Sequence, residues 1–296
     1  MDSFLNALAG GVSLGALYAV MALGFVVIYR ATGILNFAHG GFLLSGVFVA
    51  ALVSESHGYL VGVLAGLAVG ALVAIVTDVV FIRQSRTQDH VTLTILTLGV
   101  NLLIVTEVSR RLGAETWPLN DPVGDRIVEF GMITMPASRL IALGVAVAAI
   151  AVFLLLFRFT NWGLAMRVSN QDAEVAKLMG VRLSRVSWTS WAIGGALAVL
   201  AGLFLASFPA AGVAPSLADT AFRAFPAAVI GGLGSVTGAL VGGLMLGLTE
   251  AFAATYESSL GGWAHNLSGI SAWILLLVVL LVRSEGLFST KQVARV

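Results

Sequence analysis

The sequence predicts an all-α fold, a polytopic transmembrane bundle of about eight or nine membrane segments, some of them short or broken. Three observations carry that expectation. Of the 296 residues, 58% are hydrophobic and only 10% are charged, whereas soluble domains carry roughly 25% charged residues. With a mean hydropathy of +0.99, most of the surface must face lipid. Apolar runs long enough to cross a bilayer recur near 4–29, 59–82, 91–109, 139–157, 189–208, 235–256 and 268–282. Two shorter glycine-rich stretches, 40–54 and 221–234, occupy roughly corresponding places in the two halves, as the interrupted helices of an inverted repeat would.

Each region then adds a constraint. Met1-Asp2-Ser3-Phe4 has no basic region before its apolar run, so the first segment is expected to be a retained helix rather than a cleaved signal. Lys and Arg collect on the cytoplasmic side of membrane proteins. Arg158, Arg167, Lys177, Arg182 and Arg185 therefore place 158–188 inside, along with Arg83, Arg86, Arg283, Lys291 and Arg295. The loop 110–138, with Glu115, Asp121, Asp125, Glu129 and three prolines, suits the outside. The chain reads as one permease domain over 1–296. Its N-terminal half is 1–110, the external loop 110–138, the C-terminal half 139–283 and the cytoplasmic tail 283–296. If both short stretches cross, the N-terminus lies outside and the C-terminus inside.

Composition also excludes functions. A formal net charge of +1 with no basic stripe argues against nucleic-acid binding. There is no cysteine, and His39, His57, His90 and His265 show no metal-ligand spacing. Glycine pairs at helical spacing, such as Gly62, Gly66 and Gly70 or Gly238 and Gly242, predict close helix seams.

Four places could carry chemistry. In 158–188, Ser169 and Asp172 have the spacing of a capping box, and Gly180 suits a left-handed stop. The short helix between them would put Val175, Leu178 and Met179 on one face, to be buried against a separate subunit, the bundle itself or the lipid interface. Asn36, Phe37 and His39 stand at the mouth of the first short stretch, where polar side chains must face a cavity or a partner helix. Gly231, Gly232, Gly234 and Ser235 form a break that would be tolerated at membrane depth only inside protein or against water, a candidate element of a translocation path. Three acids fall in apolar runs. Asp78 and Glu107 have arginines within reach; Glu250 has no local partner, and reads as a buried hydrogen-bonding group or a path residue.

Taken together these motifs resemble the branched-chain amino acid ABC transporter permeases of the high-affinity leucine/isoleucine/valine type, the shorter of the two paired permeases. The likeness runs from Leu14-Gly15-Ala16-Leu17-Tyr18-Ala19 through Ala22-Leu23-Gly24 to Asn36-Phe37-Ala38-His39-Gly40. It continues in Arg167 through Gly180, and in Ala224-Phe225 through Gly231-Gly232-Leu233-Gly234-Ser235, Gly238-Ala239 and Gly242-Gly243. The resemblance implies a second paralogous permease subunit, two cytoplasmic ATPase subunits, an extracytoplasmic solute-binding protein and a bacterial inner membrane. It implies no catalysis and no cofactor in this chain, ATP and Mg being bound by the ATPases. Glu174-Val175-Ala176 and Gly180 match the family's ATPase-docking pattern, with Val175 in place of an alanine. The resemblance points to ATPase coupling for Arg167, Asp172, Glu174, Ala176, Lys177, Leu178 and Gly180, while Asn36, Phe37, His39, Gly231, Gly232, Gly234, Ser235 and Glu250 are the candidates for the path on the residue reading above. Gly41 and Phe42 follow His39-Gly40 where the family usually shows an acid, and Arg30 replaces a small residue. Urea or short amides therefore remain alternative cargoes. An ion-coupled secondary transporter would need a charge relay. A hydrolase built on Ser235 would need a Gly-x-Ser-x-Gly elbow around that serine, where Leu233 and Thr237 stand in the glycine places.

Overall fold

A computed structural model describes residues 2–86, 89–113, 116–119, 126–130, 133–207, 212–257 and 266–288. Glu115, Asp121, Asp125, His265, Lys291 and Arg295 lie outside the described residues. The fold is helical: α1 (Asp2–Thr32), α2 (His39–His57), α3 (Tyr59–Val76) running on through a π-turn (Thr77–Ile82), α4 (His90–Leu112), α5 (Ala137–Phe159), α6 (Asn161–Gln171), α7 (Ala173–Leu178), α8 (Leu183–Ser207), α9 (Leu217–Gly231), α10 (Val236–Tyr256) and α11 (Leu267–Val282). Seven of these are long and apolar enough to cross a membrane. α11 is apolar with 16 residues, and α9 has 15.

The first short stretch is longer than expected: α2 is a helix of 19 residues, because Gly40, Gly41 and Gly46 pack inside the protein instead of breaking it. A second departure is a hairpin, β1 (Ile127–Phe130) with β2 (Ile133–Pro136), in the loop expected to be external.

α1 is the central post. Glycines on α10 let the two helices touch along their backbones: a Cβ on Gly243 would stand 2.4 Å from the amide nitrogen of Ala19, and one on Gly247 would stand 2.2 Å from that of Gly15. Two glycine-lined hairpins flank this post. In the α2–α3 hairpin a Cβ on Gly66 would meet the Gly46 carbonyl at 2.6 Å, and in α9–α10 one on Gly242 would meet the Ala227 carbonyl at 2.1 Å. α3, α4 and α5 are mostly exposed along their apolar surfaces, as a lipid-facing layer requires.

The ends of the bundle differ in charge. Arg30, Arg83, Arg158, Arg167 and Arg283 gather at one end: Arg30 and Arg167 each lie 5.2 Å from the Phe157 ring centroid, and Arg83 donates to the Ser184 carbonyl at 2.6 Å. The positive-inside rule assigns that end to the cytoplasm. Asp78, fully buried, accepts from Arg83 at 2.5 Å and from Ser187 at 2.8 Å, which ties the π-turn to α8. Glu107 pairs with Arg110 and Arg111 at 2.9 and 2.7 Å. Both acids have the local arginines that spacing predicted.

Candidate functional site

Two regions hold the candidate residues. The first is an elbow at the basic end. Thr160 caps α6 by accepting from Gly163 N–H, and Asp172 caps α7 by accepting from Glu174 N–H and Val175 N–H, both at 3.0 Å. Ser169, expected in the cap, lies inside α6 and donates to Met166. The cap belongs to Asp172 alone. At the other end Gly180 takes φ +85°, Val181 N–H reaches back to the Ala176 carbonyl and Gly180 N–H to that of Lys177. That is a Schellman stop, in which glycine avoids the steric cost of the left-handed region.

The two-sided clamp fixes a helix of only six residues, too short to persist without caps or packing. Ala176 is buried beneath it, while Val175, Leu178 and Met179 are 47%, 87% and 73% exposed. Glu174 and Lys177 are exposed around them. Arg167 is turned back onto its own bundle, donating to the Phe157 carbonyl and lying against the Phe157 ring. α7 therefore presents an apolar knob ringed by charge at the basic end.

The second region is where the starts of α2 and α9 meet. The segment 33–38 leaves α1 and turns into α2, and α4 anchors it: Phe37 N–H donates to Thr97 Oγ1 at 2.9 Å, and Gly41 N–H to Asn101 Oδ1 at 2.7 Å. Asn36 Oδ1 accepts from Ala38 N–H. His39 is fully buried, its ring 4.2 Å from that of Phe25, and neither ring nitrogen has a partner in the protein. The Nδ2 of Asn36 and the indole nitrogen of Trp191 are also buried without one. α9 starts against this point, since a Cβ on Gly40 would meet the Ala218 carbonyl at 2.7 Å.

Phe37 joins the two. Its ring lies 6.2 Å from Phe222 and 5.3 Å from Phe225 of α9. Deeper in, Glu250 of α10 accepts from the Tyr18 hydroxyl at 2.6 Å and lies 4.0 Å from Arg223 of α9. Glu250 thus gains a partner from each neighbouring helix, through contacts 232 and 27 residues away in sequence.

The Gly231–Ser235 break lies at the basic end rather than halfway along the bundle. Leu287 N–H donates to the Ile230 carbonyl and Phe288 N–H to that of Gly231. Gly232 has φ +96°, a Cβ on Gly231 would clash with the Gly238 carbonyl, and the space around Gly234 is open. Ser235 caps α10 by accepting from Gly238 N–H at 3.0 Å. The structure thus brings Phe37, Asn36 and His39 together, joins Glu250 to α1 and α9, and leaves the 231–235 break apart from both.

Four residues of this region escaped the sequence reading: Thr97, Asn101, Asp219 and Arg223. Their signal was present as pairs of polar residues four apart, Thr97 with Asn101 and Asp219 with Arg223. A cavity of about 770 Å³ elsewhere, lined by α2, α3, α5 and α8, is almost wholly apolar and holds none of the candidate residues; its lining suits a lipid chain better than a polar solute.

Known proteins fit this architecture. Residues 7–282 match the family model described as branched-chain amino acid transport system / permease component. The high-affinity branched-chain amino acid transport system permease protein LivH of Escherichia coli is 30% identical, over 99% of this chain and 98% of that protein. The BraD permease protein of Pseudomonas aeruginosa is 27% identical over the same shares. A probable LivH of Methanocaldococcus jannaschii is 28% identical over 95% of this chain and 91% of its own length. The solved structure of PsaBC from Streptococcus pneumoniae in complex with Fab superposes with a TM-score of 0.51 over 93% of this chain and 90% of that chain; at 14% identity this is a likeness of fold alone. The motifs quoted from the sequence, the helical membrane fold and a match that runs almost end to end agree: the chain belongs to the permease component family of branched-chain amino acid transport systems.

Proposed function

We propose that this chain is the non-catalytic permease subunit of an ATP-binding cassette importer in a bacterial inner membrane, carrying branched-chain amino acids by alternating access. It works with a second, paralogous permease, two cytoplasmic ATPase subunits that hold ATP and Mg, and an extracytoplasmic solute-binding protein. The observation that carries this reading is α7. An isolated helix of six residues, capped at both ends and showing Leu178 and Met179 to solvent at the basic end, is built to be covered by another protein. Burying a leucine side chain contributes about 1.5–3 kcal/mol, so Leu178 would anchor such a contact. Glu174 and Lys177 flank the knob and set its register. Relatives that carry the same family pattern support branched-chain amino acids as the cargo.

The test is Glu174→Lys in the assembled complex, read as ATP hydrolysis stimulated by the loaded binding protein. Reversing the charge at the rim of the docking face is expected to cut stimulation by about tenfold, a change of ~1.4 kcal/mol, while the chain still folds. Unchanged stimulation would remove α7 from the coupling path.

A further inference from the structure

Helix α9 carries a face that neither the core nor lipid accounts for. Ser216, Asp219, Thr220 and Arg223 recur at intervals of three and four, so they share one side of the helix. Ser216, Asp219 and Arg223 are exposed and Thr220 half-buried, while Leu217, Ala218, Ala221, Ala224, Ala227 and Ala228 pack inward. The depth of this face is set by its neighbours. Arg223 reaches Glu250, which holds Tyr18, and Glu250 and Tyr18 both lie within the membrane-spanning lengths of α10 and α1. Charged side chains at that depth are costly against hydrocarbon, so they turn toward a cavity or another protein.

Its chemistry is specific. The Arg223 guanidinium is 51% exposed and only loosely tied to Glu250, at 4.0 Å, which leaves its forked donors free to take a carboxylate bidentately. Asp219 stands one turn nearer the start of α9. Beside them the half-buried rings of Phe37 and Phe222 stack at 6.2 Å with 23° between planes, an apolar shelf.

We propose that this face is where the solute touches the permease at mid-membrane: Arg223 pairs the solute carboxylate, Asp219 its ammonium, and the Phe37–Phe222 shelf takes its aliphatic side chain. The opposite wall comes from the second permease. This rests on the importer reading above and adds to it the surface that contacts the solute.

The experiment uses the full complex in proteoliposomes with its binding protein and radiolabelled leucine, isoleucine or valine, recording solute taken up per ATP hydrolysed. A folding or assembly defect lowers both quantities together; a lost solute contact lowers their ratio. Arg223→Gln is expected to reduce the ratio by about tenfold, the scale of a charge-assisted hydrogen bond. Arg223→Lys should recover part of it, and Phe222→Ala should lower it severalfold. If Arg223→Gln prevents assembly, Phe222→Ala alone decides. A wild-type ratio in the variants overturns the assignment of this face; a working wild-type complex that takes up none of the three amino acids overturns the cargo named under the proposed function. A wild-type chain that copurifies with no ATPase, or that transports without nucleotide, sinks the importer reading instead.

Discussion

Helices α2 and α9 begin in contact, each after a chain segment that turns back into the bundle, yet one is sealed and the other open. Thirteen of the 19 residues of α2 are buried, His39 and Gly40 among them. α9 buries its alanines and leaves a polar face uncovered. The glycine seams beside them correspond as well, α2 against α3 and α9 against α10. The difference teaches that two helices entered in similar ways serve two ends. One copy is locked at its start by hydrogen bonds donated to Thr97 and Asn101, whereas the start of the other packs through alanines and carries a loose ion pair.

That comparison can be broken most severely at the seams. Gly66→Leu and Gly242→Leu would each drive side-chain atoms into a backbone carbonyl that a Cβ would already meet at 2.6 and 2.1 Å. Each is expected to cost about 3 kcal/mol or more, read as a loss of melting temperature in detergent. Sensitivity in one hairpin only would end the correspondence. Next, Asn101→Ala strips the buried Gly41 N–H of its acceptor. A loss of about 1–3 kcal/mol is expected, and no loss would show that the start of α2 is not locked. His39→Leu should change stability by less than about 1 kcal/mol in either direction, because neither ring nitrogen is bonded in the protein. It should also leave uptake within about twofold, in contrast to Arg223→Gln; a collapse of uptake would put the sealed side in the path.

The smallest effect is expected outside the membrane, at Asp89. Hydrogen bonds from the hydroxyl and N–H of Thr92 hold its carboxyl below the usual aspartate range. Such a group stabilises the fold above its unfolded-state pKa, and that contribution fades as pH falls through the depressed folded value. Asp89→Ala should lower the melting temperature slightly at neutral pH, with the difference from wild type vanishing in acid. A difference that persists there would point to packing rather than charge.

Much of this was legible in the residues. Composition and run length give the membrane bundle, and Gly180 marks the end of α7, but its start was read at Ser169 rather than at Asp172. Ser169 misled because capping spacing is local, whereas α6 continues through it, stapled by Arg167 to α5. The 231–235 break was legible as a break but not in depth, since depth depends on the segment 286–288 folding back against Gly231 and Gly232. Glu250 was unreadable for the same reason: its partners lie on α1 and α9. What periodicity did offer, and composition hid, was the stripe Ser216, Asp219, Thr220 and Arg223 inside a stretch that averages as apolar.

The chain has no cysteine, so single thiols can be placed on either helix without background. Thr220→Cys on α9 and Ser45→Cys on the buried face of α2 should be compared in the assembled complex with a membrane-impermeant thiol reagent. The expected result is that the thiol at 220 reacts, more slowly when leucine is present, while the one at 45 does not. Labelling at 45, or at 220 only by a lipid-soluble reagent, would contradict an open α9 beside a sealed α2.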